Sequence, residues 1–530
     1  MKPFQEFRLW SRQGPAAEKV FAAVGALLVV ALVAWALVPT ATSSAPASAS
    51  AANATSGRTS ATTTTAPPTT TTTTTTTPSG SVGPAGSSLS SGSPVSGGSG
   101  LSGSAVTEGS ASSSAEVGTN PSTTPTTQTT STCLGGTTSG VTSTQIKIGV
   151  VIVDLGALND LIGVPTTQDM EAMYNAVFNL YNSFGGVQCR KLVPVYYGDD
   201  VLLASSEQSL CLQMKQDGDF AVINNLYNPQ EFNCIPQESI PDLFYTSPQT
   251  PAMQQFYPYV LSSTTDYDRL IKDYVFGSQQ LGLLSGQKIG IIEQSCYPEL
   301  NTAIASDLAS IGVSIASTFN YGCDTSAVEP DLPTQDLAAV EQFHSAGVTT
   351  VLETARDVIT DFATYAQGQN YHPKYIIMND QSMALIADSS TPISSGFNGA
   401  IAITTDQEGE TNTAGYQPNA ATTECDKLAS AAGQPPADDQ HRLAGQLDGD
   451  ACAQVAVLVA AMQHMTTLAQ AALPGGLVNA GSLSLSYPAG PMDVTNVQDP
   501  TGGQQWRPAE WYSSCSCWKV TNLSWSDGWS

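Results

Sequence analysis

The sequence predicts an α/β fold of two Rossmann-like parallel sheets, preceded by a membrane-spanning helix and a long disordered linker. Three observations carry this. From residue 146 to residue 378, short apolar runs alternate with segments of helical periodicity. That pattern restarts at residue 288 after a break, and two such sets of elements are too much for one core. Residues 40–132 are dominated by Ser, Thr, Ala, Gly and Pro and hold no such pattern.

The elements follow in chain order. Residues 1–19 form a basic tail with Lys2, Arg8, Arg12 and Lys19. The uncharged run at 21–39 is long enough to span a bilayer as a helix, so 20–39 is read as the span. The cations before it place the tail in the cytoplasm and the rest of the chain outside the cell, anchored in a single pass. Cleavage after the Ala-rich stretch is the alternative. Residues 40–132 cannot bury enough apolar area to offset chain entropy, and they read as a disordered linker. Its mean span as a coil is on the order of 50–60 Å.

The folded head is read as residues 141–530. Residues 146–153 make a near-continuous apolar strand of the kind buried in a parallel sheet. Met170, Met173, Tyr174, Val177, Phe178 and Tyr181 recur at helical spacing over 168–183, and Gly185-Gly186 ends that helix. Strand 191–197, helix 203–217 and strands 220–225 and 242–246 complete a first lobe, about 141–262 plus a C-terminal part. Strand 288–294 opens a second lobe, about 266–400. Its helix carries Leu300, Ala303, Ile304, Leu308 and Ile311, and Gly312 ends it before strand 313–319. Leu337, Val340 and Phe343 mark the apolar face of the next helix, capped by Asp331 or Thr334. Strand 348–353, helix 357–367 and strand 374–378 repeat the alternation. Residues 259–263 and 397–405 are candidate crossovers between lobes. Residues 455–473 are apolar, but Gln463, His464 and Gln470 interrupt them, so they read as a packed helix. The Trp-rich end, 508–530, reads as a strand or loop pinned to the head.

The wording of the first unit carries a resemblance. An IKIGV strand is followed by a helix ending at Asn182 and Gly185-Gly186, then a strand closed by Asp199-Asp200. This resembles the type I periplasmic-binding-protein fold, in particular the branched-chain amino acid (leucine/isoleucine/valine) binding proteins of ATP-binding-cassette (ABC) transporters. The resemblance implies a small-molecule ligand held between two lobes joined by crossovers. It also implies a membrane partner, such as an ABC permease, that reads the closed state. No cofactor is implied.

Charge narrows the partners. The net charge is −27 and the pI about 4.2, which excludes nucleic acid, since that demands basic patches. Ten cysteines without a Cys-x-x-Cys pair favour an oxidising compartment. The layout makes Cys211 with Cys234, and Cys296 with Cys323, plausible bridges. Cys425 with Cys452 would close a Gly/Pro/Asp-rich insertion at 432–449. Cys133, Cys189, Cys515 and Cys517 then allow the start of the head to be tied to its end. Connectivity stays open at this point. Cys515-Ser516-Cys517 lacks zinc spacing and a nearby His, so no metal is expected. His344, His372, His441 and His464 are scattered, and no metalloprotease, nucleophile-elbow or Walker A motif lies in the head. The chain therefore reads as a binder and not an enzyme.

In open parallel sheets ligands bind beyond the carboxyl ends of the strands. The loops there supply Asn225 and Tyr227, then Ser247, Pro248, Gln249 and Thr250. On the second lobe they supply Tyr297, Thr354, Arg356, Asn379 and Asp380. The resemblance implies hydroxyls at Ser247 and Thr250 for a ligand carboxylate, a covering ring at Tyr297, and Asp380 for an ammonium. Arg356 would suit an anion bidentately, against a salt bridge to Glu353 or Asp357. Asp380 is equally suited to cap a helix, as are Asp199 and Asp200. A tethered sensor or surface scaffold without transport is the competing function.

Overall fold

The computed structural model describes residues 133–530, apart from residues 155–164, 200–203, 226–233, 245–253, 296–297, 323–331, 355–358, 379, 389–392, 394, 408–409, 440, 487, 489, 504 and 530. The expected tail, membrane helix and linker lie outside these residues. Among the described residues no helix is long and apolar enough to cross a membrane.

The first sheet is wholly parallel. Strand β1 (Gln145–Val153) leads through helix α1 (Thr167–Ser183) to β2 (Lys191–Asp199), then through α2 (Ala204–Asp217) to β3 (Ala221–Asn224). Strands β4 (Asp242–Phe244) and β5 (Val260–Ser262) extend it in the order β2-β1-β3-β4-β5. A full capping box starts α1: the Thr166 hydroxyl accepts from the Asp169 N–H, and the Asp169 carboxylate accepts from the Thr166 N–H. Met170, Met173, Tyr174, Val177 and Phe178 are the face it buries, as their spacing requires.

The second sheet follows α3 (Tyr267–Gln280), a helix the sequence reading did not place. It runs β6 (Ile289–Gln294), α4 (Pro298–Ser310), β7 (Ile315–Tyr321), α5 (Leu332–Ala346), β8 (Thr350–Glu353), α6 (Ile359–Gly368), β9 (Lys374–Ile377), α7 (Asp380–Ala387) and β10 (Ile401–Thr404). On α5 the buried positions are Asp336, Ala339, Val340 and Phe343, whereas Leu337 is 43% exposed, contrary to expectation. Val340 and Phe343 set the phase of the helix, and Leu337 lies to one side of it.

The chain then returns to the first sheet. Helices α8 (Ala420–Ala432), α9 (Arg442–His464) and α10 (Leu473–Ala480) share one core with β1 and α1. The expected helix at 455–473 in fact begins at Arg442 and ends at His464, so residues 442–449 are helical and not an irregular insertion. Gly445, Asp448 and Gly449 depress helix propensity there, and burial overrides it. After the small ribbon β11 (Leu483–Ser484) and β12 (Pro491–Met492), the chain crosses a third time. Strand β13 (Gln505–Tyr512) pairs antiparallel with β10, followed by β14 (Cys517–Val520) and β15 (Ser526–Asp527). Trp506, Trp511 and Trp518 are fully buried there, so the Trp-rich end is pinned to the second sheet.

The first and third crossings are bound to each other. Ser262 N–H donates to the Pro500 carbonyl at 3.0 Å, and Gly502 N–H to the Ser262 carbonyl at 3.1 Å. A side chain at Gly502 would put its Cβ 2.0 Å from the Ser263 carbonyl, so only glycine fits. Arg269 fastens the joint through the Gly503 carbonyl at 3.1 Å and through Asp266 and Asp499, each at 3.5 Å.

Four disulfides are described: Cys133–Cys189, Cys211–Cys234, Cys425–Cys452 and Cys515–Cys517. Two are as expected. The start and end of the head are not tied together: each closes on itself, Cys133 to Cys189 and Cys515 to Cys517. Cys296 and Cys323 lie outside the described residues. Asp199 does not start a helix. It ends β2, buried, and its carbonyl accepts from the Asp154 N–H at 2.7 Å.

Candidate ligand-binding site

The carboxyl ends of the parallel strands form the candidate site, and two of the expected residues are described in full there. Asn225 follows β3. Its amide donates to the Val151 carbonyl and to the Tyr174 hydroxyl, both at 2.8 Å, and its side-chain oxygen accepts from Gln454 at 3.1 Å. Tyr174 in turn donates to the Gln454 side-chain oxygen at 2.7 Å. Burial pushes the Tyr174 phenol far up, so this network is neutral. It locks the mouth of β1 and β3 to α1 and α9. Asn225 therefore shapes the floor of the site, its amide hydrogens already committed.

Thr354 does the same on the second sheet. Its hydroxyl and its backbone N–H both donate to the Ile292 carbonyl, at 2.7 and 3.1 Å, which joins the end of β8 to β6. Tyr227, Ser247, Gln249, Thr250, Tyr297, Arg356 and Asn379 lie outside the described residues. Asp380 is the first residue of α7, and its side chain lies outside what the structure describes.

Other polar groups at the second sheet's strand ends were not singled out by sequence reasoning. Glu353, the last residue of β8, is buried, and Tyr274 donates to its carbonyl at 3.3 Å and to that of Ile376 at 2.8 Å. Tyr321 ends β7 and donates at 2.8 Å to Asp336, whose carboxyl is pushed up to about 7, first by burial. Burial also raises Glu293, near the end of β6. The available signal was an acidic residue closing an apolar run, as in Thr350–Glu353. Among the described residues, the strand ends thus carry buried polar groups, the kind of lining that suits a small polar molecule.

No family model matches the sequence, and no curated protein does. Solved structures do match in fold. A substrate-binding protein of an ABC transporter from Desulfitobacterium hafniense, in complex with Leu, aligns over 71% of this chain and 99% of its own, with TM-score 0.51 and 16% identity. A fatty acid ABC transporter substrate-binding protein from Thermomonospora curvata aligns over 74% and 95%, with TM-score 0.55 and 14% identity. A solute-binding protein from R. palustris in complex with 4-hydroxybenzoate aligns over 73% and 97%, with TM-score 0.54 and 12% identity. The chain has the type I periplasmic-binding-protein fold.

Proposed function

We propose that this chain is a membrane-tethered extracellular solute-binding protein that captures a small carboxylate, such as an amino acid, between two lobes for an ABC importer. The observation that carries the reading is a wholly parallel sheet and a largely parallel one with polar strand ends, joined by three crossings of which two are bonded together. The lobes are taken as about 141–262 with the C-terminal helices, and about 266–400 with β13 and β14. The solutes named for the structural neighbours are leucine, 4-hydroxybenzoate and fatty acid, and all present a carboxylate. Arg356 would bind that group, and Asp380 would hold an ammonium where the solute has one. Contacts from both lobes favour closure, and a membrane partner reads the closed form. The anchor at 20–39 and the long linker favour a second reading, a tethered sensor without transport.

Thermal melting of the full-length protein against amino acids, benzoates, fatty acids, amides and sugars tests this. A solute at about 100 times its Kd stabilises by about 2.7 kcal/mol, a rise of a few degrees. Carboxylates should give that rise and Arg356→Ala should remove it. A cooperatively folded protein with no shift across the panel would count against solute capture.

A further inference from the structure

A small, partly open cavity of about 20 Å³ lies where α8, α9 and the residues after β11 meet. Gln407, Thr422, Asp426, Gly445, Asp448 and Ser486 are among its lining. The volume suits one occupant the size of a water molecule. Asp448 is 3% exposed, and neither of its carboxylate oxygens has a hydrogen-bond partner.

The hydroxyls around it have spent their protons elsewhere. Thr422 donates to the Ser486 carbonyl at 2.5 Å, and Ser486 donates to the Gly449 carbonyl at 2.7 Å. Their oxygens can only accept. The charges that act on Asp448 are also negative, namely Asp426 and Asp169. Lys427, next to Asp426 on α8, is exposed and paired with Glu424 at 3.1 Å. An ionised buried carboxylate facing acceptors alone is costly unless the space is filled by a donor or a positive charge, and above the pKa of the acid a proton no longer serves.

We propose that this cavity binds one monovalent cation of sodium size, held by the buried Asp448 carboxylate and the Thr422 and Ser486 hydroxyl oxygens, with the solvent-exposed Asp426 carboxylate also lining it. Oxygen donors suit a hard cation. Among the described residues no group of three or more His, Cys, Asp or Glu is arranged to hold a metal ion, and the four oxygen-bearing side chains named fall short of calcium's demand for six to eight ligands. Burial and the neighbouring carboxylates push Asp448 up to about 8, so a proton competes with the cation below that pH. The bound ion joins α8 to α9 beside the Cys425–Cys452 bridge and so fastens the two helices that cover β1 and α1.

The test is the melting temperature of the full-length protein, buffered above the Asp448 pKa, in sodium, potassium, calcium or choline chloride at matched ionic strength. Sodium should give a saturable rise over choline on the order of a few degrees. That rise should vanish in Asp448→Asn. Equal melting in sodium and choline, a rise with calcium alone, or an undiminished sodium response in Asp448→Asn would each overturn the proposal. Should Asp448→Asn fail to fold, Ser486→Ala replaces it. Loss of one neutral ligand should then move the sodium midpoint to higher concentration, and an unchanged midpoint overturns the assignment.

Discussion

Helix α9 buries ionisable groups near its start in two opposite ways. Arg442, fully buried, lies 3.4 Å from Glu410 and 3.7 Å from Asp439. Glu410 also meets Arg507 at 2.9 Å, and the Arg507 guanidinium lies 3.8 Å over the Trp525 ring. Asp388 accepts the backbone N–H groups of Arg442 and Leu443, at 3.0 and 2.7 Å, and so caps the helix. Two cations, Arg442 and Arg507, thus meet three carboxylates, Glu410, Asp439 and Asp388, where α9 meets the second sheet's helix α7. Less than two turns later Asp448 is buried with no protein partner. The joint between the two halves supplies its own counter-charges, whereas the carboxyl beside α8 has, among the described residues, no protein cation or donor to answer its charge once it ionises.

The largest expected effect breaks the paired end. Glu410→Gln leaves two buried guanidinium groups short of their shared carboxylate and should cost about 3–5 kcal/mol. Urea unfolding would show it as a lower midpoint with an unchanged slope, and a loss near zero would mean that the cluster is solvated. Next comes pH. Asp219, Asp273, Asp336 and Asp448 are pushed up to about 6, 7, 7 and 8, each chiefly by burial. An unfolded Asp titrates near about 3.9. Between these values the folded chain keeps protons the unfolded chain has lost, so stability falls as pH rises from about 4 to about 8 and then levels off. Melting followed across that window should decline steadily, with the upper part of the decline missing in Asp448→Asn. A melting temperature that climbs with pH would contradict the buried, neutral state of these acids. The smallest effect sharpens the contrast with a network that carries no charge. Gln454→Leu strands Asn225 and Tyr174 and should cost about 1–3 kcal/mol, at all pH values alike.

Much of the scaffold was legible because it rests on short-range patterns. The burial of Met170, Met173, Tyr174, Val177 and Phe178 follows from their spacing, and the runs at 146–153 and 288–294 are of the kind buried in parallel sheets, where they lie. What escaped the sequence depends on partners far away in the chain. The network around Asn225 joins Tyr174 to Gln454, 280 positions apart. The first turns of α9 read as a loop because glycines and aspartates dominate them, and only the surrounding core makes them helical. The return of β13 to β10 likewise has no local signal, although its tryptophans marked the segment as buried. In the candidate site, residue types at strand ends were legible but their orientations were not: Asn225 and Thr354 turn toward backbone carbonyls.

The most direct test of solute capture is isothermal titration calorimetry of the full-length protein with the carboxylates that raise its melting temperature. One site per chain, with a negative heat-capacity change from closure over the solute, is the expected result. Heats no larger than dilution for every such compound, from protein that unfolds cooperatively, would contradict it.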